Sequence, residues 1–352
     1  MRRVNVKTST EYDVLIGANL LDRAGEYIAE AAGGNLAVVV TDDIVAGFHL
    51  ERLINALSGA GYRTLVFTIR NGEASKTTHN YVKLLNFMAE NGVTRSDIVV
   101  ALGGGVVGDL AGFAAATYMR GVPYVQIPTT LLAAVDSSVG GKTAVDLDAG
   151  KNLAGAFYQP KIVLCDHTLL DTLEPRVFSD GCAEVIKYGM IADKELFEML
   201  GEGARENIEE IITRCVTIKR DVVCEDEFES GVRKLLNFGH TVGHAIEHLS
   251  DYAISHGEAV AIGMVIETRA AVSEGWCGSE CVDVLVKTLR SCNLPIASPY
   301  SARELSRAAL TDKKRSGDKI TLIIPERVGK CVLRDIDVGE MEHFIAAGIE
   351  NE

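Results

Sequence analysis

The residues best suited to chemistry stand between Arg233 and His248, in the stretch RKLLNFGHTVGHAIEH. Read as one helix, Arg233, Asn237, His240 and His244 follow steps of four, three and four and share one face. A solvated face can carry polar residues at that spacing, but surface positions seldom select two histidines and an asparagine. Gly239 and Gly243 are poor helix formers that leave room for a second backbone or a ligand. His256, in HGEAVAIGM, supplies a third imidazole, and Glu184, in GCAEVIKYGMI, supplies a hard oxygen ligand. Lys187 lies three residues after Glu184 and shares its helical face. Two imidazoles and a carboxylate suit a catalytic zinc with a position left open for substrate oxygens. Spacing alone pairs His240 with His244 as ligands, and the sequence leaves open which pair is right.

Three further segments suit a phosphate-bearing ligand. GGGVVGD, residues 103–109, follows the apolar run Asp97–Leu102 and precedes the helix-like LAGFAAATYM. Strand, glycine turn and helix let backbone N–H groups and a helix amino terminus face a phosphate. The spacing is not the usual GxGxxG, and adjacent glycines serve a tight turn under close helix packing equally well. In NGEASK, residues 71–76, Glu73 is suited to ribose hydroxyls and Lys76 to a phosphate; the plainer reading is a polar loop that caps the next helix through Ser75 or Thr77. In DSSVGGKTAVD and AGKNLAGAFYQP, glycines set Lys142, Lys151 and Asn152 on flexible backbone beside Asp136, a candidate phosphate grip. The alternative is that both lysines are simply solvated.

The elements that must position these groups change character along the chain. Up to about residue 172, the runs Leu36–Thr41, Thr64–Ile69, Asp97–Leu102, Tyr124–Ile127 and Lys161–Cys165 read as strands separated by stretches long enough for crossover helices. That rhythm predicts an α/β, Rossmann-like, mostly parallel sheet covered on both faces. From Asp171 onward, long amphipathic runs such as LFEMLGEGARENIEEIITRCVTIKRDVV predict a mainly helical second domain, with one late strand, Lys319–Ile324, stopping at Pro325. Residues 1–172 and 173–352 are the expected domains, in keeping with a length of 352 residues.

Composition excludes several partners. A formal net charge of −14 argues against nucleic acid and anionic membrane surfaces, while an anionic small molecule needs only a local cluster of cations. The longest apolar stretch, Ile98–Tyr118, is broken by Gly103–Gly105 and Asp109, so no membrane span is expected. MRRVNVKTST is followed by alternating strand-like residues instead of the apolar run of a signal peptide, which makes a cytoplasmic home the expectation. The eight cysteines form no CxxC pair, which argues against disulfides and a thiolate zinc site.

Taken together, GGGVVGD, PTTLLA with DSSVGGKT, GKN followed by GAFYQP, AEVIKYG, LNFGHTxGHAxE and HGEAVAIGM resemble the 3-dehydroquinate synthase family, in the family's order and near its spacing. The resemblance covers nearly the whole chain. It implies an enzyme with an NAD-binding α/β domain and a metal- and substrate-binding helical domain, using NAD and one divalent metal ion, zinc or cobalt. The ligands it implies are Glu184, His240 and His256, with His244 an active-site hydrogen-bonding residue, against the simple spacing. The implied NAD contacts are Asp42, the loop Asn71, Gly72, Glu73, Ala74, Ser75 and Lys76, the turn Gly104, Gly105, Val106, Val107, Gly108 and Asp109, then Thr129, Thr130, Lys142, Lys151, and Leu169, Leu170, Asp171 and Thr172. The implied substrate contacts are Arg120, Asp136, Lys142, Asn152, Lys187, Lys219, Arg233, Asn237, His244 and one or both of Lys313 and Lys314.

The reaction implied converts 3-deoxy-D-arabino-heptulosonate 7-phosphate to 3-dehydroquinate and phosphate. NAD oxidises a ring hydroxyl, the new ketone acidifies the neighbouring proton, phosphate leaves, the hydride returns, and ring opening and aldol closure follow. NAD is therefore recycled within each turnover. Two departures from the family pattern are small: Asn71 stands where Asp is usual, and Asp146 where Asn is common. Rival readings are a cyclase for a substrate without the carboxylate, a metal-dependent glycerol dehydrogenase, which uses Asp where this chain has Glu184, and a non-catalytic NAD-binding relative. Arg233, Asn237, His244 and Lys219 together favour the carboxylate substrate. A homodimer is the expected assembly.

Overall fold

The β-branched runs of the first half fold into strands. In the computed structural model, which describes residues 1–310, 315–316 and 318–349, these are Arg2–Lys7 (β1), Glu11–Gly17 (β2), Leu36–Asp42 (β3), Arg63–Ile69 (β4), Ile98–Gly103 (β5), Tyr124–Pro128 (β6), Lys142–Leu147 (β7), Gly150–Phe157 (β8) and Ile162–Asp166 (β9). Seven of them form one sheet in the order β1-β2-β9-β6-β5-β3-β4. Every neighbouring pair is parallel except β1 with β2.

Helices cover both faces of this sheet. Val39, Val100 and Leu102 pack with Ile28, Leu53 and Leu57 of the helices Ala24–Ala32 and Glu51–Gly59. Val38, Val40 and Val99 pack with Leu84, Met88, Leu110 and Ala114 of the helices Thr78–Glu90 and Gly105–Thr117. Successive residues of β3 and β5 thus enter opposite cores, which is why both strands are apolar throughout. From β3 the chain adds β4 on one side and then returns to add β5 on the other. The reversal creates a switch point between β3 and β5, the place where open α/β sheets bind ligands.

β7 and β8 stand apart as an antiparallel hairpin, with Lys142 opposite Phe157 and Ala144 opposite Gly155. This corrects the expectation of flexible backbone around Lys142 and Lys151. The strands approach so closely that a Cβ on Gly155 would lie 2.3 Å from the Thr143 carbonyl oxygen, so the glycines there serve pairing.

The chain divides into two compact units: Met1–Glu174 with Ile212–Glu227, and Pro175–Ile211 with Phe228–Glu352. Ile212–Glu227 belongs to the first unit although it follows Pro175–Ile211 in the chain. In the second unit the helix His256–Ser273 is buried along nearly its whole length. Its Ile262 and Ile266 share a core with Val242 and Ile246 of the helix His240–Leu249, Leu305 of Ala302–Ala309 and Phe344 of Met341–Gly348. A small antiparallel sheet of Arg315–Ser316 (β10), Lys319–Arg327 (β11) and Lys330–Asp337 (β12) adds Leu322 to that core. The late strand does not stop at Pro325. It continues to Arg327, with Pro325 opposite Cys331 and an irregularity in register between Pro325 and Arg327. Among the described residues no helix is long and apolar enough to cross a membrane.

Candidate active site

Glu184 lies on the helix Pro175–Ile191, while His240 and His256 are the first residues of their helices. His256 Nε2 stands 3.2 Å and His240 Nε2 3.5 Å from Glu184 Oε1. One ligand atom from each of the three residues falls within 4.8 Å of the others. The second nitrogen of each ring already has a partner: His240 Nδ1 lies 3.0 Å from the Phe238 carbonyl oxygen and His256 Nδ1 3.3 Å from Glu247 Oε2. A carbonyl and a carboxylate only accept, so both Nδ1 atoms carry hydrogen and both Nε2 atoms are turned toward Glu184. Burial works against a charge on His256, but hydrogen bonds to Glu184 and Glu247 win and raise its pKa to about 10. A divalent cation suits the place of the Nε2 proton. Lys187, buried on the same helix, is ion-paired with Glu184.

His244, Glu247 and His256 form a second group with metal-ligand spacing. Glu247 meets the Nδ1 side of His256, as a carboxylate that orients a ligand does. The His244 ring stands edge-on to His240 with 5.4 Å between centroids. The donor chemistry therefore fits a cation at Glu184, His240 and His256, with His244 beside it.

The stripe expected at steps of four, three and four is not one helix. Val232–Asn237 is a short 3-10 stretch, Phe238 leaves it at φ −57° and ψ 128°, Gly239 is left-handed at φ +76°, and the α-helix starts at His240. Close packing imposes this break: a Cβ on Gly239 would lie 2.8 Å from the Val260 carbonyl oxygen, and one on Gly263 would lie 2.0 Å from that of Gly239. The buried Glu267 carboxylate accepts from the Gly239 N–H at 2.9 Å and holds the turn. Arg233 is buried, and Asn237 Nδ2 donates to Glu229 Oε1 at 2.9 Å. Glu229, in the left-handed region at φ +62°, carries no mark in spacing. Glu247 was visible only as the last letter of GHAxE.

In the first unit, the expected cofactor contacts outside the hairpin follow the carboxyl ends of parallel strands. Asp42 ends β3, Asn71–Lys76 follow β4, Gly104–Asp109 follow β5, Thr129 and Thr130 follow β6, and Leu169–Thr172 follow β9. The helix Gly105–Thr117 starts without a side-chain cap, which leaves its first N–H groups for an anion. Gly108 answers to packing, since a Cβ there would lie 2.5 Å from Gln126 Oε1. Thr129 Oγ1 is buried without a hydrogen-bond partner among the described residues, as a hydroxyl reserved for a ligand would be. Asp42 caps the next helix, accepting from the Ile44 and Val45 N–H groups at 3.0 and 2.9 Å. Leu169 and Leu170 bury their side chains.

Three segments meet at Lys76. Its buried ammonium lies 2.6 Å from Asp109 Oδ2 and 4.0 Å from Glu73 Oε1, and it donates to Asn152 Oδ1. Glu73 also meets Lys151 at 3.6 Å. Burial works to lower the pKa of Lys76, but the carboxylates of Asp109 and Glu73 outweigh it and hold the group above its usual range. The capping role goes to Thr77, which accepts from the Asn80 N–H at 3.2 Å. Asp136 pairs with Lys219, whose ammonium also donates to the Asp136 carbonyl at 2.8 Å. Arg120 is exposed and left-handed at φ +66°. Lys313 and Lys314 lie outside the described residues.

The N-terminal and C-terminal family models of 3-dehydroquinate synthase match residues 66–180 and 181–315. The 3-dehydroquinate synthase of Streptococcus sanguinis is 44% identical over 95% of this chain and 96% of its own length. This chain belongs to the 3-dehydroquinate synthase family. A family relative from Enterococcus faecalis is 42% identical over 95% of both chains. Among solved structures, 2-deoxy-scyllo-inosose synthase complexed with carbaglucose-6-phosphate, NAD+ and Co2+ superimposes with a TM-score of 0.89 at 25% identity, covering 99% of this chain and 100% of that one. A 2-epi-5-epi-valiolone synthase from Streptomyces hygroscopicus, with NAD+ and Zn2+ bound, gives 0.87 at 28% identity and 99% of both chains. A probable glycerol dehydrogenase from Sinorhizobium meliloti, 18% identical with a TM-score of 0.62 over 95% of both chains, shares the fold alone.

Proposed function

We propose that the chain converts 3-deoxy-D-arabino-heptulosonate 7-phosphate to 3-dehydroquinate and inorganic phosphate, with NAD and one divalent metal ion, zinc or cobalt, as cofactors. The observation that carries this reading is the Glu184, His240 and His256 donor set, its Nδ1 atoms already engaged, in a chain 44% identical to a named 3-dehydroquinate synthase over nearly its whole length. When bound, NAD supplies a transient oxidation of the substrate and the metal ion polarises the oxygens involved. Glu184, His240 and His256 hold the metal ion. Glu247 keeps the His256 ring in one tautomer, and Lys187 offsets the buried charge of Glu184. Lys76 remains an ammonium, so it only donates, which suits oxygen acceptors of a nucleotide beside the uncapped helix start at Gly105.

Arg233, His244 and Lys187 in the second unit, and Arg120, Lys142, Asn152 and Lys219 in the first, are the groups suited to the phosphate and carboxylate of the substrate, and Asn237 and Asp136 to its hydroxyls. Glu229 turns the amide N–H of Asn237 toward itself and leaves the Asn237 oxygen to accept from a substrate hydroxyl. Groups that suit a substrate carboxylate favour this acid over the substrates of the inosose and valiolone cyclases, to which identity is lower at 25% and 28%. The protein acts in the cytoplasm as a homodimer, the commonest soluble assembly; light scattering on the eluted protein tests the second point.

The activity test follows phosphate and NADH together, with the heptulosonate phosphate, trace NAD and cobalt or zinc. Phosphate release far in excess of NAD, abolished by a chelator and without accumulation of NADH, is the expected result. NADH formed in proportion to a simple polyol such as glycerol would move the chain to the dehydrogenases.

A further inference from the structure

The helix Pro175–Ile191 meets the start of the helix His256–Ser273 at three successive turns. At the first, Arg176 makes a two-pronged bond to Glu258, Nε to Oε1 at 3.2 Å and Nη2 to Oε2 at 2.9 Å. At the second, Asp180 Oδ1 accepts from Ser255 Oγ at 2.6 Å and from the Gly257 N–H at 2.7 Å. At the third, Glu184 Oε1 faces His256 Nε2 at 3.2 Å. Residues 176, 180 and 184 are spaced by four, so all three contacts lie along one face of one helix. The middle rung grips the residues on both sides of His256. Backbones are tight there as well: a Cβ on Gly257 would lie 2.1 Å from the Asp180 carbonyl oxygen.

We propose that Asp180 is a positioning residue for the metal centre: by fixing Ser255 and Gly257 one helical turn before Glu184, it sets the distance and orientation of His256 relative to the carboxylate ligand. The inference rests on the metal assignment above and goes beyond it, since Asp180 is not one of the three ligands. One carboxylate oxygen receives both bonds, so His256 leaves its place only if both bonds break. Glu247 fixes the rotation of the imidazole from the Nδ1 side, and Asp180 fixes the backbone that carries it. Ser255 is already the cap of its helix through reciprocal bonds with Glu258, so the helix start persists without Asp180 and only the middle one of its three attachments to the Glu184 helix is lost. The outermost rung is solvent-exposed at Arg176 and contributes little.

The test measures cobalt binding to metal-stripped protein by competition with a chelating dye, together with the visible absorption band of bound cobalt. In Asp180→Ala the dissociation constant rises about tenfold, the lower end of what loss of an outer partner of a metal ligand costs, and the band shifts. In Asp180→Asn, whose amide oxygen still accepts from Ser255 and Gly257, both return to within about threefold of wild type, and Arg176→Ala leaves both unchanged. A merely structural role would lower the melting temperature of Asp180→Ala without moving the cobalt band. Wild-type affinity and band in folded Asp180→Ala would overturn the positioning role alone. Failure of the wild-type protein to bind cobalt, or undiminished binding by His256→Ala, would overturn the metal assignment and this inference with it.

Discussion

The two units assemble their functional groups by different means. In the first, backbone topology does the gathering: five parallel strands end on the same side of a sheet, and their last residues and the loops that follow carry Asp42, Glu73, Lys76, the Gly104–Asp109 turn, Thr129 and Thr172. In the second, helices do it, and their separation depends on single glycines. Gly239, Gly243 and Gly263 let the helices His240–Leu249 and His256–Ser273 come so close that added Cβ atoms would lie 2.0 to 3.1 Å from backbone. A sheet edge tolerates changes in what covers it, whereas a helix crossing of this kind has no slack. Away from its own close approaches at Gly25 and Gly155, the first unit is therefore expected to respond to substitution gradually, and the crossing of these two helices abruptly.

That contrast can be broken at its strongest point by His256→Ala. Loss of one of three ligands removes several kcal/mol of charge stabilisation, so turnover falls on the order of a thousandfold and bound metal is lost with it, while NAD affinity in the first unit survives in large part. Metal analysis beside equilibrium dialysis of NAD reads both, and a variant with full metal content would break the assignment.

Paired glycine substitutions sharpen the comparison next. Gly263→Ala places a Cβ 2.0 Å from backbone and costs about 3 kcal/mol or more in a denaturant titration, whereas Gly108→Ala meets only the end of the Gln126 side chain, which can swing away, and costs about 1 kcal/mol. Equal losses would mean that the turn after β5 is as tight as the helix crossing.

The smallest expected effect is one of pH. In metal-stripped protein His256 is raised to about 10 between Glu184 and Glu247. Its folded value exceeds the unfolded value of about 6.5, so the stabilisation is complete below that pH and disappears as pH rises through about 10. The melting temperature of stripped protein should fall over that interval. His256→Ala should lack this component, and a parallel slope in the variant would assign the titration elsewhere.

The same difference governs what could be read in the sequence. The parallel strands were legible because residues such as Val38 and Val39 must be apolar on both faces, and the loops then followed from topology. The helical unit was legible as helices but not in its joints. Steps of four, three and four suggested one stripe from Arg233 to His244, yet the chain breaks at Phe238 and Gly239 because a neighbouring helix occupies the space, which no local pattern records. The same holds for Glu247 and Glu229, whose partners His256 and Asn237 are fixed by tertiary packing. The hairpin of β7 and β8 reads as flexible loop in the sequence because its glycines look like linker and its pairing partner lies across a turn.

Anomalous X-ray scattering from crystals grown with cobalt or zinc distinguishes a cation held by Glu184, His240 and His256 from one held by the pair His240 and His244 that spacing suggests. One strong peak is expected, bonded to Glu184 and to Nε2 of His240 and His256, with the Glu247 carboxylate on Nδ1 of His256. A peak bonded to His240 and His244, or to His244 and Glu247, would contradict this assignment.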